Sequence, residues 1–86
     1  MNDNIELVMR FHPVGGEDVT VMSVDFSDEA QAVAVIARAI EERHGLILTR
    51  ARYNRETDES SMVINLANVV SVRVSTTDSN VAGQYL

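Results

Sequence analysis

Hydrophobic and polar residues alternate through Ile5-Glu6-Leu7-Val8-Met9-Arg10-Phe11, the signature of a strand with Ile5, Leu7, Met9 and Phe11 on one face. The stretch HPVGGEDVT follows, and its paired glycines, Gly15-Gly16, accept positive φ freely, which suits a two-residue hairpin turn. A turn there makes Met9 face Met22, Leu7 face Val24, Ile5 face Phe26 and Phe11 face Thr20. Ser27-Asp28-Glu29 then supplies an N-cap and first-turn acids for a helix reaching to about His44. Val33, Ile36, Ala37, Ile40 and His44 follow the helical period as its core stripe, leaving Ala32, Val35 and Ala39 mostly facing solvent. Gly45 is expected at C′, with Leu46 making the accompanying apolar contact.

Three further strands are expected: Leu46 to Arg55, Ser61 to Asn65, and Val69 to Ser75. A loop at Glu56-Thr57-Asp58-Glu59 sets Tyr53 against Met62 and Ala51 against Ile64 on the core face. A second turn at Leu66-Ala67-Asn68 sets Ile64 against Val70 and Met62 against Val72. The order β-β-α-β-β-β makes an α+β domain of two layers, one mainly antiparallel sheet with one helix on one face. The first strand is expected inside the sheet, between its hairpin partner and one of the later strands. Residues 1–75 form this single domain, and residues 76–86 read as a mobile tail with Tyr85-Leu86 available to dock.

Composition adds constraints. The chain of 86 residues carries a net charge of −6, has no cysteine and draws all seven of its basic residues from arginine, a usage that also fits a GC-rich genome. Disulfides, zinc thiolates and thiol catalysis are excluded, and a cytoplasmic location fits. MNDNIELVMR lacks the pattern of a secretory signal, and the apolar run AVAVIARAI is too short to span a bilayer. The acidic balance opposes nucleic acid and anionic membranes on average.

Against that balance, LTRARYNR places three arginines in eight residues. With Ile47, Thr49, Ala51 and Tyr53 toward the helix, Arg50 and Arg52 point away, and Arg10 and Arg73 do so by the same parity. Val8, Val19, Val21, Leu48, Val63 and Val69 join them on that face, with Glu6 and Asp25 as its only acids. Val8, Arg10, Val21, Leu48, Arg50, Arg52, Val63 and Arg73 are therefore the candidate interface. An apolar, arginine-flanked face is what protein interfaces present. The aromatics fall on the helix side, leaving no platform to stack bases.

No motif supports catalysis, a metal or a cofactor. His12 and His44 fall in different elements, and Glu41 with His44 is a single E-x-x-H without the second helix that di-iron sites need. The glycines lack Walker or dinucleotide spacing, and no serine stands in a nucleophile elbow. The function expected is a small acidic, non-enzymatic protein-interaction module, for example an accessory protein of a phage or mobile element engaging a host factor. Its partner is a second copy through the sheet face, as a homodimer, or a foreign protein. The alternative is a small-ligand-binding or nucleic-acid-associated regulatory domain.

Overall fold

A computed structural model describes residues 4–53 and 55–76. The elements are β1 (Ile5–Pro13), β2 (Val19–Phe26), α1 (Glu29–Glu42), β3 (Leu46–Tyr53), β4 (Ser60–Ile64) and β5 (Val69–Thr76). They form a single α+β domain, one antiparallel five-stranded sheet in the order β4-β3-β2-β1-β5 with one helix. As expected, β1 lies inside the sheet, between β2 and β5. The expected tail lies almost wholly outside the described residues; Thr76, its first residue, ends β5 instead.

The expected pairing of β4 with β5 does not form, because the two strands occupy opposite edges of the sheet, although the chain does turn at Leu66-Ala67-Asn68. Ile64 sits opposite Leu46 at the start of β3, and Val69 opposite Pro13 at the end of β1. Followed through the registers, a flat sheet would hold Ile64 and Val69 more than roughly 30 Å apart. The chain between them reaches at most about 18 Å. The sheet must therefore curl until its edges approach, and the connection crosses the opening. Leu66, the first residue of the expected turn, is buried there. Val69 N–H donates to Leu66 O at 3.2 Å, and Val14 N–H donates to Asn68 O at 2.7 Å, tying the crossing to the β1–β2 loop.

The β1–β2 register is also corrected. Ile5 does face Phe26, but Met9 faces Val21, Val8 faces Met22 and Arg10 faces Thr20, one residue from the expected pairing. The connection runs through residues 14–18 instead of a two-residue turn; Gly15 adopts φ 72° in it. Asp18, at its end, reaches back to His12 at 2.7 Å and to Arg10 at 3.6 Å. A bulge in β2 between Ser23 and Phe26 restores the phase. On β3 the phase changes between Leu48 and Ala51, so Leu46 and Leu48 are buried with Ala51, while Ile47 is 68 % exposed. Met62 faces Leu48 and Ser60 faces Ala51, replacing the expected Tyr53–Met62 and Ala51–Ile64 pairs.

The helix starts as expected and ends early. Asp28 is the N-cap, its Oδ1 accepting from Gln31 N–H at 2.8 Å, while Gln31 Oε1 accepts from Ser27 N–H at 2.7 Å. Arg43, and not Gly45, takes the left-handed position, with φ 61°. Its N–H donates to Ile40 O and the His44 N–H to Ala39 O at 3.0 Å, the paired bonds of a Schellman ending. Gly45 instead admits β4: a Cβ there would lie 2.9 Å from Val63 Cγ1 and 3.3 Å from Ile64 O. Arginine at a left-handed C′ is strained, so Arg43→Gly should raise stability by about 1 kcal/mol in urea titrations.

The seating of α1 differs from the expected stripes, although Ile36 is buried and Val35 exposed as expected. Ala32, Ile36 and Ala39 are buried, whereas Val33, Ala37, Ile40 and His44 are exposed. Small alanines let the helix approach the curled sheet closely, and only Ile36 of the larger stripe fits beneath it. The core gathers Leu7, Met9, Phe11, Val21, Phe26, Leu46, Leu48, Ala51 and Leu66 around these three helix residues.

Candidate functional site

The outer face of the sheet is the convex side, and the registers decide what lies on it. Val8 faces Met22 on one side and Ser75 on the other, and Met22 in turn faces Arg52. Arg10 faces Thr20 and, across the β1–β5 ladder, Arg73 directly. Because residues paired across strands share a face, Val8, Met22, Arg10, Arg73 and Arg52 form one continuous surface. Val8 and Met22 are half-buried at its centre, and Arg10 and Arg73 are exposed at one end.

Four residues expected on this surface, Val19, Val21, Leu48 and Val69, are not there. Val21 and Leu48 are both 0 % exposed and belong to the core. Val19 shares the face of Phe11, and Val69 packs against the core. In their place the structure brings Met22, which was assigned to the helix side by a register one residue out. Val63 does point outward, 70 % exposed and facing Ile47, but on the β3–β4 flank.

Most charges of this surface are answered within the chain. Arg52 Nη2 donates to Glu6 Oε2 at 2.9 Å, and its Nη1 to Glu56 O at 3.0 Å. Arg50 Nε pairs with Glu59 at 3.1 Å, toward the β3–β4 loop. Asp25 is drawn inward. Its Oδ1 accepts from Thr49 N–H at 2.9 Å and Thr49 Oγ1 at 2.7 Å, and its Oδ2 from Ser23 Oγ at 2.6 Å and Arg50 N–H at 3.2 Å. Burial pushes the Asp25 carboxyl up, but these bonds together outweigh it and hold the group below the usual carboxylate range.

At the Arg10 end, among the described residues, the acid paired with Arg10 is Asp18. The His12 imidazole bonded to it, and then the guanidiniums of Arg10 and Arg73, hold its carboxyl below the usual range, against a smaller desolvation effect. Arg73 makes no ion pair with any described residue. Two arginines thus stand opposite each other across the ladder, one of them paired with Asp18.

His44 lies apart from His12, beside a cleft of about 680 Å³ lined by Ala39, Ile40, Arg43, Asn65 and Leu66 among others. Its polar groups turn back on the chain instead of converging. His44 Nδ1–H donates to Gly45 O at 3.0 Å and Nε2 contacts Glu42 at 3.1 Å, while Asn65 Oδ1 accepts from Ala67 N–H at 2.9 Å. Bonds that use both ring nitrogens as donors favour the charged imidazole, so the His44 pKa is raised, by Gly45 O first and Glu42 second. Among the described residues no group of three His, Asp or Glu side chains is placed to hold a metal, and no helix is long and apolar enough to cross a membrane.

Comparison with known proteins returns no matching family model, no matching curated protein and no matching solved structure.

Proposed function

We propose that the protein is a small acidic binding module that recognises another protein through the outer face of β1, β2 and β5. The observation that carries this reading is the Arg10–Arg73 pair, two cations directly opposite each other beside the apolar Val8–Met22 centre. Like charges facing across a ladder destabilise a sheet, and among the described ion pairs Asp18 offsets them. An acidic residue on a partner would relieve that repulsion and could form bidentate bonds with either guanidinium. A foreign partner fits this face better than a second copy. Glu6 and Asp25, the acids a copy would need to offer, are already engaged by Arg52 and by the Thr49–Arg50 backbone. A cytoplasmic setting, and an accessory role in a phage or mobile element, belong to the same reading and rest on size, acidity and the lack of cysteine.

Arg73→Glu tests it with two opposed readouts. Removing the like-charge contact should raise folding stability by up to about 1 kcal/mol. The same change should abolish salt-sensitive capture of a partner from a lysate of the source organism. Capture that survives Arg73→Glu and Arg10→Glu together would refute this use of the face.

A further inference from the structure

We propose that the cleft between the end of α1 and the β4–β5 connection binds a small apolar carboxylate whose charged end is held by Arg43. The cleft has a volume of about 680 Å³, within the range of small-ligand sites. The last turn of α1 supplies one wall, where Ile40 is 45 % exposed. The end of β4 supplies the other, where Val63 is 70 % exposed. Leu66, buried in the crossing, and half-buried Val69 continue the apolar lining between them. Gathered around a concavity, these side chains offer an apolar ligand body a place to leave water.

The side-chain groups left uncommitted in this lining are donors. Asn65 Oδ1 is taken by Ala67 N–H, which fixes the amide and leaves Nδ2 without an acceptor among the described residues. Arg43 makes no ion pair with any described residue. Its neighbour Glu42 is already engaged, Oε2 with Arg38 and Oε1 with His44, each at 3.1 Å. His44 adds positive charge, because its two ring bonds favour the imidazolium. No described acid lines the cleft. A planar guanidinium with nothing to answer it suits a carboxylate, which accepts two parallel bonds from it.

The backbone argues in the same direction. Arg43 holds φ 61°, a conformation that glycine adopts freely and arginine does not. Strained residues concentrate at ligand sites, and a glycine here would end the helix while removing the unanswered cation of the cleft. The lining also selects among anions. Inorganic phosphate would use Arg43 but leave Ile40 and Val63 in water, whereas a carboxylate on an alkyl or aromatic body uses both. The cleft lies at the Val69 end of β5, opposite Pro13. Asn4 and Thr76, where the described residues begin and stop, lie at the other end of the sheet, roughly 23 Å along β5.

Octanoate, octanol and octylamine share one tail and differ in the charge of the head, so titrating each into the full chain tests both halves of the site. Followed by nitrogen–proton correlation NMR, octanoate should bind with a Kd of about 1 mM or tighter and move the amides of Ile40, Arg43, Gly45 and Leu66. Octanol should move the same amides on the order of tenfold more weakly, and octylamine more weakly still. Arg43→Gly relieves the strained backbone, so it stays folded, and it should bring octanoate down to the affinity of octanol. Arg43→Lys keeps the charge and should keep part of the preference. Equal binding of octanoate and octanol, a preference unchanged in Arg43→Gly, or no saturable shift at millimolar octanoate overturns the proposal. So do shifts confined to the outer face around Arg10 and Arg73, which would make octanoate a general ligand of exposed arginines. Partner capture through the outer face should be unchanged in Arg43→Gly, so the two sites hold or fail independently.

Discussion

Leu48→Asp should unfold the chain, while Ile47→Asp should leave it folded. Leu48 is fully buried among core residues and faces Met62, whereas its neighbour Ile47 is 68 % exposed on the other side of β3. Truncating a buried leucine to alanine costs about 2–5 kcal/mol in transfer and cavity terms. An aspartate there adds an unpaired buried charge, which must be protonated or drag in water, at a cost of several kcal/mol more. A domain of this size has roughly 4–13 kcal/mol of total stability, so the sum meets or exceeds what is available. At Ile47 the loss is limited to strand preference and a few surface contacts, about 1 kcal/mol or less. Far-ultraviolet circular dichroism in a urea series measures both. A folded Leu48→Asp chain, or an unfolded Ile47→Asp chain, would mean that β3 has the opposite phase.

That pair of residues marks where the sequence stopped being legible. Element order, the helix start at Asp28, the β1 core positions Leu7, Met9 and Phe11, and the Ile5–Phe26 pair follow from local period and capping chemistry. The errors on β2 and β3 share a cause. The pattern puts Phe26 and Ala51 on the correct face, and alternation carried back from them reaches the wrong face at Val21 and Leu48. A strict period of two cannot survive an extra residue, and both strands carry one: β2 between Ser23 and Phe26, β3 between Leu48 and Ala51. Neither bulge has a glycine to announce it. The signal is Asp25, an acid in a strand, and its meaning depends on Thr49 and Arg50, which are distant in sequence. The missed curl has a similar origin. A four-residue link between β4 and β5 reads as a hairpin loop unless the order of all five strands is known. The candidate surface inherited these slips: Arg10, Arg73, Arg52 and Val8 stay on it, Val21 and Leu48 leave, and Met22 enters.

Asp25→Ala should cost about 3 kcal/mol, lowering the melting temperature by on the order of 15 °C. The β2–β3 ladder runs only from Val21–Tyr53 to Ser23–Ala51, and beyond it the Asp25 carboxylate replaces a strand as the acceptor. It takes the N–H groups of Thr49 and Arg50 together with the hydroxyls of Thr49 and Ser23, and Ser23 Oγ in turn accepts from Asp25 N–H at 3.0 Å. Alanine would leave two backbone donors and a buried serine without that acceptor. Asp25→Asn keeps the shape and one acceptor oxygen, so it should recover roughly half the loss. The pH dependence gives a second, independent readout. The folded-state pKa of Asp25 is depressed below its ordinary 3.8. Its contribution is therefore complete above that value and disappears as pH falls through the lower folded pKa. Stability of the parent chain should drop across that acid window, and the drop should be smaller in Asp25→Asn, which has no charge to lose there. An Asp25→Ala chain as stable as the parent, with the same acid profile, would show that the bulges hold without the carboxylate.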